Sequence, residues 1–153
     1  MKIRPITLAD ADDISSFLAL LTAAGKRTLP DTADYVRDRY TTRDDNICCH
    51  VAEDDTGAVI GMQVLIRAAD RDGWGLVGTH VDPNAARRGI GKALFAVTRQ
   101  HAIAAGLAIL DATIGRDNDE GLAYYSAIGF ETFKTTDAKI SKCYDLTASG
   151  EPR

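Results

Sequence analysis

The spacing of apolar residues along the chain changes character several times. Lys2 to Ile6 alternates as a short strand does, and Thr7 with Asp10 has the make-up of a helix start ahead of apolar positions at Ile14, Phe17, Leu18 and Leu21. Gly25 interrupts that helix, and Leu29-Pro30-Asp31 offers a new start for a shorter one carrying Tyr35, Val36, Arg39 and Tyr40. Two β-rich runs, Ile47 to Glu53 and Ala58 to Ile66, flank Asp54-Asp55-Thr56-Gly57, whose glycine supplies the positive φ of a hairpin turn. Asp70-Arg71-Asp72-Gly73 is a second turn leading into Trp74 to Val81, so three consecutive antiparallel strands are predicted.

After Pro83 the period becomes helical. Ile90, Leu94, Val97, His101 and Ala104 share a face, Gly106 stands where the helix stops, and Leu107 to Ile114 reads as a buried strand. Strand, crossover helix and strand form a right-handed βαβ unit, which makes 74–81 and 107–114 parallel neighbours in a mixed sheet. A helix over 119–128 ending at Gly129, then strands over 130–134 and 140–146, complete the predicted order.

Composition narrows the class. A chain of 153 residues, 45% hydrophobic and 26% charged, fits one domain, expected over 1–147 with 148–153 as a C-terminal tail. The longest apolar stretches, such as Ala102 to Leu110, are broken by glycine and fall well below the roughly 18 residues of a membrane helix. The N-terminus lacks the apolar core of a secretory signal, so a soluble cytoplasmic protein is expected, with no membrane partner. Cys48, Cys49 and Cys143 have no zinc-ligand spacing and read as reduced structural thiols, with no metal site expected. A net charge of -4 and a pI near 5.3 give no general attraction to nucleic acid, so any anion site must be local.

Such a site is offered by Val81-Asp82-Pro83-Asn84-Ala85-Ala86-Arg87-Arg88-Gly89-Ile90-Gly91-Lys92, where glycines and cations surround a helix start. Glycine lets backbone approach a ligand closely, and the free N–H groups of a first helical turn favour anionic oxygens, phosphate above all. A solvated basic helix start accounts for this stretch equally well. Dinucleotide binding fits less well, because Leu94 occupies the last glycine position of G-x-G-x-x-G.

The run Val81-Asp82-Pro83 followed by Arg87-Arg88-Gly89-Ile90-Gly91-Lys92-Ala93-Leu94 resembles the pyrophosphate-binding motif Q/R-x-x-G-x-G/A of the GNAT N-acetyltransferase superfamily. Asn118-Asp119-Glu120-Gly121-Leu122-Ala123-Tyr124-Tyr125-Ser126-Ala127-Ile128-Gly129-Phe130 is similar to its N-x-x-A-x-x-F-Y-x-x-x-G-F pattern, and the element order matches across almost the whole chain. The resemblance implies an α/β (α+β) fold: a mixed, mostly antiparallel twisted sheet of about seven strands with about four helices, splayed between strands 4 and 5. It implies acetyl-CoA as cosubstrate. Main chain at Thr79 and Val81 would hold the pantetheine, amides from Arg87, Arg88, Gly89, Ile90, Gly91 and Lys92 the pyrophosphate, and Asn118 the cofactor's arm. Tyr125 would touch the cofactor and protonate the departing thiolate, while Tyr124 packs as an aromatic anchor. Ala86 stands at the family's usual Gln or Arg position, which removes one side-chain contact.

The implied activity is transfer of an acetyl group to a primary amine of a small molecule, amino acid or protein by direct attack in a ternary complex. A homodimer, common in the family, is a further expected partner. Many relatives carry a glutamate on the strand before the loop, yet 74–81 has no carboxylate. His80 is the candidate general base, against a hydrogen-bonded histidine at the edge of a core or a water chain. The missing carboxylate also motivates an alternative, a catalytically weak acyl-CoA-binding sensor. Glycines 73, 75 and 78 suit either substrate access or close packing. Acceptor recognition is expected from residues 22–40, where Lys26, Arg27, Asp31, Asp34 and Arg37 mix charges, whereas Asp44, Asp45, Glu53 and Asp54 read as solvated carboxylates.

Overall fold

In the computed structural model, which describes residues 1–85 and 88–148, the alternating segments become strands β1 (Lys2–Pro5), β2 (Asn46–Glu53), β3 (Val59–Arg67), β4 (Trp74–Val81), β5 (Ile109–Gly115), β6 (Glu131–Thr135) and β7 (Lys139–Asp145). The helices are α1 (Ala11–Ala23), α2 (Ala33–Arg37), α3 (Ile90–Ala104) and α4 (Asp119–Ala127). One sheet runs in the order β1-β2-β3-β4-β5-β7-β6. Every neighbouring pair is antiparallel except β4 and β5, the two strands of the βαβ unit. No helix among the described residues is long and apolar enough to cross a membrane.

Helices cover both faces of the sheet. On one face Ile14, Phe17 and Leu18 of α1 and Val36 of α2 pack on Val51, Met62 and Val64. On the other, α3 and α4 bury Phe95, Ala102 and Tyr125 with Leu65, Val77, Leu110 and Phe130. Burying both faces explains the near-continuous apolar runs of the central strands.

Local chemistry fixes where the helices begin. Asp10 accepts the Thr7 N–H at 2.7 Å and takes the Arg4 guanidinium on both oxygens at 2.8 Å, while Arg4 Nε reaches Glu53 at 2.6 Å. Arg4 thereby ties β1 and β2 to the approach to α1 and holds the Asp10 carboxyl below its usual range. The second helix starts later than its Leu29-Pro30-Asp31 signal. The Pro30 and Asp31 carbonyls are taken by Arg27 and Ser15, and Thr32 caps the helix by accepting the Tyr35 N–H at 3.1 Å.

The buried stripe of α3 is Ile90, Leu94, Phe95, Thr98 and Ala102, rather than the expected one through Val97, His101 and Ala104. The helix is rolled towards Phe95, whose ring meets Phe130 and Tyr144 at centroid distances of 5.5 and 5.3 Å. His101 is turned outward, where its ring lies 4.7 Å from that of His50.

The feature that positions the site is the incomplete pairing of β4. Its antiparallel ladder with β3 runs from Gly75 to Val81, but towards β5 only Trp74, Gly75 and Leu76 find partners, at Ile109, Leu110 and Asp111. From Val77 onward the two strands part, and β5 continues its ladder with β7 to Gly115. Gly75 is needed for packing at the closed end: a Cβ there lies 2.7 Å from Leu107 Cδ1 and 2.9 Å from Leu65 Cδ1. Gly75→Val should therefore lower stability by about 1–3 kcal/mol, a loss read in urea or thermal unfolding. An unchanged midpoint would show that this closed end is not tightly packed.

Candidate active site

Alternation along β4 sends Val77 and Thr79 towards α3 and α4, and Gly78 and His80 towards the α1 and α2 side. The parted strands thus open onto two different chemical surroundings.

On the α3 and α4 side the Tyr125 hydroxyl lies 2.7 Å from Thr79 Oγ1, beside the unpaired stretch of β4. Gln63 Nε2 donates to Thr79 Oγ1 at 2.9 Å and to the Tyr124 hydroxyl at 3.0 Å, and that hydroxyl donates to the Gly91 carbonyl at 2.7 Å. A carbonyl only accepts, so the single Tyr124 proton is spent on Gly91 and the atom of Gln63 facing it must be the amide nitrogen. Gln63, 0% exposed on β3, therefore orders this network. Thr79 Oγ1 accepts from Gln63 and can give its own proton to the Tyr125 oxygen, the arrangement in which the phenol proton is available to a third group. Burial pushes the Tyr125 phenol up and that of Tyr124 to about 12, so both stay protonated through the neutral range.

The first turn of α3 lies next to this network. Gly89 sits at its N-cap with φ 73°, a left-handed conformation that favours glycine. The first intrahelical bond is Ala93 N–H to the Gly89 carbonyl at 3.0 Å, so the amides of Ile90, Gly91 and Lys92 precede it, as at any helix start. Gly91 has a second duty: a Cβ there meets Tyr124 Cε1 at 2.5 Å, so this glycine makes room for the Tyr124 ring. Arg88 and Lys92 are exposed, and Arg87 lies outside the described residues. Val81 packs beside Ile90 and Leu94. Asn118 caps α4 by accepting the Gly121 N–H at 3.0 Å, which leaves its amide nitrogen for a ligand. The structure thus gathers Thr79, Tyr125 and, through Tyr124 and Gly91, the start of α3.

His80 faces the other way, into a cavity of about 250 Å³ with Leu76, Tyr35, Tyr40 and Asp111 among its walls. Its Nε2 lies 3.0 Å from Arg27 Nη1. Because a guanidinium can only donate, Nε2 is the acceptor and the imidazole is neutral, with its proton on Nδ1. Burial and the Arg27 charge push its pKa down to about 3. The lone pair expected of a general base is thus occupied. Arg27 itself is 6% exposed and pairs with no carboxylate among the described residues; its Nη2 reaches the Pro30 carbonyl at 2.9 Å and the Tyr40 hydroxyl at 3.3 Å, and its buried Nε has no partner.

Sequence reasoning passed over Gln63 and Asp111, and named Arg27 only as one of several charges in residues 22–40. Gln63 and Asp111 are the polar interruptions of the apolar runs in β3 and β5, which is a readable signal. Arg27 carried none, since nothing in the sequence distinguishes it from the other cations of residues 22–40. Of the four carboxylates read as solvated, Glu53 is held by Arg4 and Asp45 by Arg39 at 3.1 Å.

The family model described as the Acetyltransferase (GNAT) family matches residues 14–130. No curated protein sequence matches the chain. Among solved structures it is similar to a GNAT superfamily phosphinothricin acetyltransferase from Sinorhizobium meliloti in complex with acetyl-CoA, with 25% identity and a TM-score of 0.80 over 96% of this chain and 90% of that one. It is also similar to yncA of Salmonella typhimurium, solved with acetyl-CoA, with 18% identity and a TM-score of 0.81 over 99% and 97% of the two chains. A GCN5-related N-acetyltransferase from Kribbella flavida superposes with a TM-score of 0.81 at 18% identity, over 94% and 96%. With a mixed sheet that opens between β4 and β5 and a family match across most of its length, this chain belongs to the GNAT family of acetyltransferases.

Proposed function

We propose that the protein transfers the acetyl group of acetyl-CoA to a primary amine by direct attack within a ternary complex. The observation that carries this reading is the parting of β4 from β5 beyond Leu76 and Asp111, with a phenol bonded to β4 on one face and a cavity on the other. A thioester in that gap meets a proton donor from one side and an amine from the other. The residues present suit coenzyme A: the free edge of β4 offers main-chain partners to the amides of pantetheine, and the amides of Ile90, Gly91 and Lys92 suit the pyrophosphate, with Arg88 adding charge.

Tyr125 is the proton donor in this reading. Its raised pKa makes it a weak acid, but a thiolate leaving into the same dry gap is also made more basic, and proton transfer accompanies C–S cleavage. Gln63 and Thr79 orient the phenol. His80, with its lone pair given to Arg27, anchors the loop between α1 and α2 rather than accepting the amine's proton.

Calorimetric titration with acetyl-CoA, with NADH and ATP as controls, should show selective binding, and turnover should follow on a panel of amines. Selective binding with no turnover on any amine would favour an acyl-CoA sensor instead. Tyr125→Phe should lower kcat about 100-fold with little change in acetyl-CoA affinity, because only a proton donor is lost. Reduced affinity with unchanged kcat would overturn that role. The neutral His80 adds a pH signature. The unfolded chain binds a proton near pH 6.5 that the folded chain refuses until about 3, so stability falls as pH drops through that window. Melting temperature should fall between about pH 6.5 and 5, and His80→Gln should flatten the slope; an equal slope in the variant would mean that His80 protonates freely in the fold.

A further inference from the structure

We infer that Asp111 receives the ammonium group of the acceptor, supplying from β5 the carboxylate that β4 lacks, and that the acceptor is a small primary amine with an apolar body. The inference rests on the acetyltransferase reading above. Asp111 pairs with Leu76 in the last rung before β4 and β5 separate, so it stands at the apex of the gap. Its side chain lies on the cavity side, and among the described residues it is the carboxylate that lines that cavity. It is 6% exposed in a strand whose other inner positions are apolar, a costly placement for a charge without a task or a partner.

A partner is present, and it leaves capacity to spare. Arg71 meets Oδ2 at 2.9 Å, with its guanidinium 4.4 Å from the Trp74 ring centroid, and Thr113 Oγ1 donates to Oδ1 at 3.0 Å. A carboxylate accepts about four hydrogen bonds, so each oxygen keeps room for an ammonium N–H. Arg71 prevents an isolated buried charge and fixes the carboxylate in place, at the cost of part of its pull on a cation. Two other polar walls of the cavity are already committed: Arg39 to Asp45 at 3.1 Å and His80 to Arg27. Much of the remaining lining is apolar or aromatic, including Leu76, Ile66, Tyr35 and Tyr40, and the cavity of about 250 Å³ has room for a small amine.

The reaction balances through these two faces. The ammonium gives one proton to Asp111, and the freed lone pair forms the N–C bond at the acetyl carbonyl. Collapse of the tetrahedral intermediate breaks the C–S bond, and the thiolate takes the Tyr125 proton. The second ammonium proton, lost as the amide forms, restores Tyr125, and Asp111 returns its proton to solvent.

The test titrates the full chain, saturated with coenzyme A, with benzylamine and with benzyl alcohol, a neutral mimic of the same shape. The wild type should bind the amine at least about tenfold more tightly, Asp111→Asn should abolish the preference, and Asp111→Glu should keep part of it. In turnover, Asp111→Asn should lower kcat/KM for benzylamine about 100-fold while acetyl-CoA affinity stays within about twofold. A wild type without preference, an Asp111→Asn variant that keeps it, or a joint loss of acetyl-CoA binding that marks a structural role would each overturn the inference. If Asp111→Asn does not fold, the wild-type preference and its survival in Asp111→Glu decide. An amine bound selectively but never acetylated would instead sink the transferase reading and leave the recognition by Asp111 standing.

Discussion

The structure turns on a single constraint, the failure of β4 to stay paired with β5. A parallel pair normally continues for the length of its strands, because each unpaired rung leaves peptide groups without partners. Here the pairing stops after Leu76 and Asp111, although β3 holds β4 straight to Val81 and β7 holds β5 straight to Gly115. Both strands are kept extended by their outer neighbours, so the inner edges stay presented to the gap instead of collapsing into loops.

Everything chemical is arranged around that opening by the two-residue period of the strand. Thr79 and His80 are adjacent in sequence, yet one joins a hydroxyl network with Tyr125 and Gln63 while the other meets Arg27 across the sheet. The same period puts Asp111 on the cavity side, between the inward-facing Leu110 and Ala112. Glycine governs how closely helices approach. Gly91 admits the ring of Tyr124 to the base of α3, so the segment that suits an anion and the helix that carries Tyr125 are locked together by packing.

Charges within the site are managed by pairing rather than by solvent. Arg71 accompanies Asp111, Asp45 accompanies Arg39, and the two terminal nitrogens of Arg27, without a carboxylate, meet a carbonyl, a hydroxyl and an imidazole nitrogen, while its Nε has no partner. Burial and the contact with Arg27 keep His80 neutral and explain why a histidine well placed in sequence is not disposed to take a proton.

The sequence by itself determined the order of elements, the βαβ crossover and the glycine-rich helix start, because each is written in local periods and in residues with unusual backbone freedom. It also marked Tyr125 through a spaced motif. It did not determine which face of α3 is buried, since the roll towards Phe95 depends on rings contributed by Phe130 and Tyr144 from distant strands. Nor did it reveal the partner of His80 or the meeting of Asp111 with Arg71, which join residues separated by 53 and by 40 positions. Both cations stand outside the strands, Arg27 in the loop between α1 and α2 and Arg71 in the turn before β4, so these contacts are decided only when the loops, the sheet and its covering helices pack at once.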